Sequence, residues 1–172
     1  AFFNNSANIE NIITRVTGNS ISNIDGLMRA NGNANLFLIN PNGIIFGTNA
    51  ALNLGGSFVA STANAIKFND GTQFSTVNPQ SAPLLTVSVP VGLEFGANPG
   101  NIINRSGTII PSVSPDPNFP PFVKVGLQVQ PQKTLALIGG DIFIDSGYLT
   151  ASQGRIELGS IKDRGQVSIS PI

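Results

Sequence analysis

The stretch LINPNGIIFG, residues 38–47, carries the decision about the fold. Large apolar residues run up to Ile39, break at Asn40-Pro41-Asn42-Gly43, and resume with Ile44, Ile45 and Phe46. Turn chemistry accounts for the break. Asn caps the first turn position with its side chain and Pro pre-sets φ at the second. Asn42 tolerates bridge or left-handed backbone at the third position, and Gly43 accepts the exit geometry. The stretch reads as strand, tight turn, strand. Antiparallel pairing across the turn would make a hairpin, whereas parallel pairing with strands elsewhere would make a solenoid.

Working outward, helical periodicity is nearly absent, and short runs of Ile, Val, Leu and Phe are bounded by Asn, Gly, Ser or Pro. Strands are expected at 12–16, 36–39, 44–46, 57–59, 84–89, 109–110, 122–129, 135–138, 141–144 and 155–158. A small module, Asx or Ser followed by Gly, any residue and an apolar one, recurs at Asp25-Gly26, Asn42-Gly43, Ser106-Gly107 and Ser146-Gly147. Residues 36–56 and 135–160 echo each other as strings of short strands with Gly or Asn turns. This repetition predicts an all-β chain coiled as a parallel β-helix, with Asn stacked on Asn between coils and a narrow apolar interior. At about 20 residues per coil and about 4.8 Å between coils, the rod has about seven coils and a length of about 35 Å. An antiparallel sandwich is the competing all-β architecture. Residues 69–90 and 111–121, rich in Pro and polar side chains, read as excursions from the rod, the first ending in a hairpin or extra strand and the second a loop. Runs such as 36–39 are apolar on both faces, so one face is covered by an excursion or offered to a partner.

Composition narrows the chemistry. The 172 residues form a single domain in this reading, 41% hydrophobic and only 10% charged, with nine Lys+Arg balancing nine Asp+Glu. That balance leaves no electrostatic footprint for nucleic acid or anionic lipid. Without Cys or His there is no thiolate nucleophile, imidazole base or zinc site of the usual kind, and neither cofactor nor metal is expected. An uncharged surface of Asn, Ser, Thr and Gly fits an extracellular protein. The opening Ala1-Phe2-Phe3-Asn4-Asn5, without an initiator Met, suggests a piece of a larger, processed chain.

Ile12-Ile13-Thr14-Arg15-Val16-Thr17-Gly18, then Ile24-Asp25-Gly26, then residues 34–39 and Asn40-Pro41-Asn42-Gly43-Ile44 follow one another in a recognisable order. They resemble the two-partner secretion domain of filamentous haemagglutinin-type exoproteins, most specifically over residues 2–62. The later LALIGGDIFI and GRIELGS resemble versions found in large cyanobacterial exoproteins. The resemblance implies a right-handed parallel β-helix with extra-helical β elements and an N-terminal cap, placed near the N-terminus of a long adhesin. It also implies recognition in the periplasm by the POTRA domains of an outer-membrane β-barrel transporter, export to the cell surface, and no enzymatic activity. Family members carry a further segment before the equivalent of Phe2-Phe3, so the resemblance implies that a first coil or cap is missing here.

Site residues follow from both readings. Asn40, Pro41, Asn42, Gly43 and Ile44 serve either as a turn that lets the first coils form or as a motif read by the transporter; turn geometry alone explains each residue. Arg15, in a chain with few charges, is expected to pair with Glu10 or Asp25, with a POTRA contact as the other reading. Asp141 and Asp145, four apart on an expected strand, could form a glycosidase pair or bind calcium with Glu157. The absence of Trp, the single Tyr148 and the turn-like Asp145-Ser146-Gly147 argue against it. A glycan- or surface-binding adhesive module is the alternative function, with a polysaccharide lyase or hydrolase third.

Overall fold

The computed structural model describes residues 1–77, 89–114, 116 and 118–170, and among these the chain is all-β with no helix. Three faces stack parallel strands. The long face runs Asn11–Arg15, Asn35–Ile39, Phe58–Ser61, Thr134–Gly139 and Arg155–Ser160 in that spatial order. A second face stacks Ser22–Ile24, Ile44–Phe46, Ile102–Asn104 and Ile142–Ile144. The third holds Phe2–Phe3, Leu27–Ala30 and Ala51–Asn53, followed by the parallel pair Leu127–Gln128 and Leu149–Thr150. Asn35–Ile39 and Ile44–Phe46 therefore lie in different sheets, and the turn between them is a solenoid corner. The sandwich reading falls with that observation.

The solenoid has about six turns, one fewer than a uniform repeat predicts. The shortfall arises because Ala65–Phe68, Gln73–Ser75, Pro90–Phe95, Ile109–Pro111 and Phe122–Lys124 leave the coil to build antiparallel structure. Coil length also exceeds the assumed value: Asn35 lies 24 residues after Asn11, and Ser57 lies 22 after Asn35.

Those three residues show how the corners are stapled. Asn35 Nδ2 donates to Asn11 Oδ1 at 3.0 Å, Asn35 Oδ1 accepts from the Ser57 amide at 2.8 Å, and Ser57 Oγ accepts from the Thr134 amide at 3.0 Å. Each coil thus satisfies a backbone or side-chain group of the next where turn amides would otherwise lie unpaired. Inside, register aligns Leu36 with Phe58 and Leu135, and Ala60 with Leu137, all fully buried. Phe58 meets Phe46 edge-on, with ring centroids 6.0 Å apart. Complete burial of each large apolar side chain stabilises by about 1.5–3 kcal/mol, so this column dominates the stability of the rod.

The outer side of the long face carries a second core. Ala65–Phe68, Gln73–Ser75, Pro90–Phe95 and Gly165–Ser168 form an antiparallel flanking sheet. Ile66, Leu93 and Phe95 from it pack on Phe37, Ile39, Val59 and Ala136. An excursion thus covers the second apolar face of residues 36–39. The strand expected at 84–89 falls outside the described residues except for Val89, which lies in no strand and exchanges hydrogen bonds with Asn69. Where a loop is expected at 111–121, the flanking strands Ile109–Pro111 and Phe122–Lys124 pair as a hairpin. The expected strand 122–129 is broken at Gly126. Its φ is +61°, and a Cβ there would lie 2.1 Å from the Tyr148 carbonyl oxygen, so only glycine lets the chain turn back onto the coil.

Thr62, where the long face ends in the third coil, is fully buried, and its hydroxyl has no hydrogen-bond partner among the described residues. A buried unsatisfied hydroxyl costs more than its removal, and valine has the same shape. Thr62→Val is therefore expected to stabilise the domain by about 1 kcal/mol in denaturant unfolding. A loss of stability instead would show that the hydroxyl is satisfied in solution.

Candidate functional site

Asn40 follows the long-face strand Asn35–Ile39 of the second coil and is fully buried. Its backbone amide donates to Ser61 O, and its side-chain amide donates to Ser20 O and Ser22 Oγ, both at 2.9 Å. Its Oδ1 accepts from the Asn42 amide and from Asn42 Nδ2, each at 3.0 Å. The turn closes through Gly43 N–H donating to Asn40 O at 3.1 Å, with positive φ at Gly43 rather than at Asn42. Asn42 Nδ2 reaches back to Gly18 O at 2.8 Å, while Gly100 N–H donates to Pro41 O and Ile44 N–H to Asn101 O. Coils on both sides thus clasp the turn. Asn40, Gly43 and Ile44 are buried, and Pro41 and Asn42 half-buried.

Arg15 is not paired with Glu10 or Asp25, as charge alone suggests. Its guanidinium lies 4.1 Å from the centroid of Phe74, and Nη1 donates to Ser75 O. A first-coil side chain thereby straps the flanking sheet to the rod, through a cation–π contact and a charge-assisted hydrogen bond. Asp25 instead staples the next coil, accepting from the Asn49 amide at 2.8 Å and from Asn49 Nδ2 at 3.1 Å.

The carboxylates singled out in the sequence do not converge. Asp145 pairs with Arg105 Nε at 2.8 Å, and Glu157 with Arg155 Nε at 3.4 Å. Asp141 flanks Ile142–Ile144, where its amide donates to Asn101 Oδ1. Among the described residues no group of three His, Cys, Asp or Glu is arranged to hold a metal.

Two features escaped the sequence reading. The first is the C-terminal rung of the rod. Ile156 and Leu158 continue the fully buried Leu135 and Leu137 columns, and Ile144 continues that of Phe46 and Asn104, yet these three are 44%, 53% and 44% exposed. The periodic echo of residues 36–56 in 135–160 held the signal, since inward positions repeat there and no further coil covers them among the described residues. At the opposite end, Phe3, Ile24, Met28 and Leu38 line an open hollow of about 400 Å³. The second is the exposed hairpin, where Ile109 and Phe122 are both more than half exposed.

No curated protein and no solved structure matches the chain. A family model described as TPS secretion domain matches residues 1–172, the full extent of the sequence. Its span agrees with the resemblance carried by residues 2–62 and with the parallel solenoid, and the family is one of secretion modules rather than of known enzymes. The chain belongs to the TPS secretion domain family, and is a two-partner secretion module of a secreted, adhesin-like exoprotein.

Proposed function

We propose that this module brings its exoprotein to the outer-membrane partner by docking the transporter's POTRA domains in the periplasm, and that its last coil then templates β-helix folding of the chain that follows. The observation carrying the reading is the bare C-terminal rung. Among the described residues no strand pairs with the outer edge of Arg155–Ser160, beside which the inward positions Ile144, Ile156 and Leu158 are exposed. Such an edge is a template for one more parallel strand, and the apolar side chains reward a coil that covers them. Templating relieves the main kinetic difficulty of a parallel solenoid, which is forming the first long-range pairing before any contact offsets its entropy.

In this reading Asn40 to Ile44 close the second coil, and Arg15 straps the flanking sheet; neither is the transporter's chief contact. What supports this is the number of their polar groups engaged by the chain itself.

Leu158→Asp in a longer exoprotein tests the templating half. The side chain is half exposed, so residues 1–172 should still fold, with a loss of about 1 kcal/mol. The coil after it should lose protease resistance, and the amount of folded protein at the cell surface should fall. Full protection of that coil in the variant would refute templating. Binding of purified POTRA domains to the unaltered module tests the other half.

A further inference from the structure

We propose that the Pro90–Phe95 edge of the flanking sheet is where a strand of the transporter's periplasmic domain adds to this module, and that the module's own Gly165–Ser168 competes for the same edge. The inference rests on the POTRA reading above and gives it a location.

Gly165–Ser168 is the outermost strand of the flanking sheet and pairs antiparallel with Pro90–Phe95, in the register Gly92 with Ser168 through Phe95 with Gly165. The two strands are unequal. Pro90–Phe95 belongs to the outer core, with Leu93 fully buried and Phe95 nearly so. In Gly165–Ser168 only Val167 packs inward, and the other three residues are exposed. A short edge strand with one apolar anchor lies at the low end of local stability, and releasing it costs far less than opening the sheet beneath.

Chain order sharpens the point. Ala65–Phe68, Gln73–Ser75 and Pro90–Phe95 complete a three-stranded antiparallel unit seventy residues before Gly165. A chain synthesised from its N-terminus therefore presents the Pro90–Phe95 edge open until Gly165–Ser168 arrives. An open edge over a buried Leu93 and Phe95 accepts an extended segment by strand addition, the backbone supplying affinity and one pocket supplying selectivity. The fitting segment is extended and antiparallel, with a β-branched or aliphatic residue where Val167 sits. Outside that pocket it meets Lys67 and Glu94, ion-paired at 2.9 Å, so it carries no strong net charge. Once Gly165–Ser168 takes the edge, the partner strand is expelled. Completion of the module thereby becomes the signal for release.

A reversible lock tests this. Ile169 N–H donates to Val91 O, which makes that pair hydrogen-bonded and its neighbours alternate. Glu94 and Gln166 consequently form a non-hydrogen-bonded pair, with Cα atoms about 4.5 Å apart and within disulfide reach. The chain has no cysteine of its own, so Glu94→Cys with Gln166→Cys creates one unambiguous bond. The probe is the purified POTRA region of the partner β-barrel transporter. Binding by the reduced variant sets the reference, because Glu94→Cys itself removes a charge that the added strand meets. The oxidised variant, its edge held shut, should bind at least about tenfold more weakly, because apparent affinity scales with the open fraction, and should recover on reduction. Oxidised protein should melt no lower than the parent, which excludes misfolding as the cause. Equal binding by oxidised and reduced forms would overturn the edge assignment while leaving POTRA docking intact. No binding by the parent itself would overturn both.

Discussion

Asn40→Ala is expected to destabilise the module by about 3 kcal/mol, and Asn42→Ala by only about 1 kcal/mol. The difference comes from burial. Asn40 is fully buried and joins three segments: its amide holds Ser20 O and Ser22 Oγ, and its Oδ1 receives both nitrogens of Asn42. Alanine removes all four of these side-chain bonds together and leaves a gap at a fully buried position, so the lost bonds and the cavity both count. Asn42 is half-buried, and water can replace its bonds to Gly18 O and Asn40 Oδ1. Denaturant midpoints at unchanged slope would measure both. Asn40→Asp is a useful third variant: it keeps the acceptor and loses the donor, turning a carboxylate oxygen toward Ser20 O. It should lie close to the alanine variant. If Asn40→Ala melts like the parent yet fails to bind POTRA domains, the turn is a recognition motif and the architectural role assigned to it is wrong.

The solenoid was legible in residues 38–47 because each coil is nearly local. Strand, corner and strand follow within a dozen residues, and the Gly and Asn positions that mark corners repeat. The interior was legible too, since Leu36, Ile44, Phe46 and Phe58 stand in short apolar runs. What stayed hidden was whatever depends on pairing across large separations. Nothing near Arg15 announces Phe74, about sixty residues away, and the nearest opposite charges in sequence were the wrong partners. Gly165–Ser168 contains one apolar residue and gives no periodic signal, and it is a strand only because Pro90–Phe95 offers it an edge. The coil count failed for a related reason: dividing the length by a uniform repeat assigns to the rod residues that build the flanking sheet and the hairpin. The role of the exposed C-terminal rung needed exposure values, because the same Ile and Leu pattern reads as core wherever a further coil is assumed.

Phe58→Ala should be the most damaging single truncation in the rod, with an expected loss of about 3–5 kcal/mol. Phe58 is fully buried at the centre of the long face, between Leu36 and Leu135 in register, and its ring packs edge-on against Phe46 from the second face. The surroundings cannot collapse into the gap easily. The backbone on both sides is held by parallel ladders, and the flanking sheet presses on the outer side of the same strand through Val59. The position also matters for chain order, since Phe58–Ser61 precedes the departure into the flanking sheet and Thr134–Gly139 must find it on returning. A cavity there weakens the rung on which the distant half of the rod docks, so refolding should slow as well as stability fall. Ile156→Ala supplies the contrast. It removes an aliphatic side chain from the same column, but at the exposed end, where 44% of the residue already faces solvent, and should cost about 1 kcal/mol or less. In a chain long enough to add a further coil, Ile156 becomes interior and the cost of its truncation should rise toward that of a core position. Equal costs for Ile156→Ala in the short and long chains would mean that no coil stacks on this rung, and the templating function would fall with it.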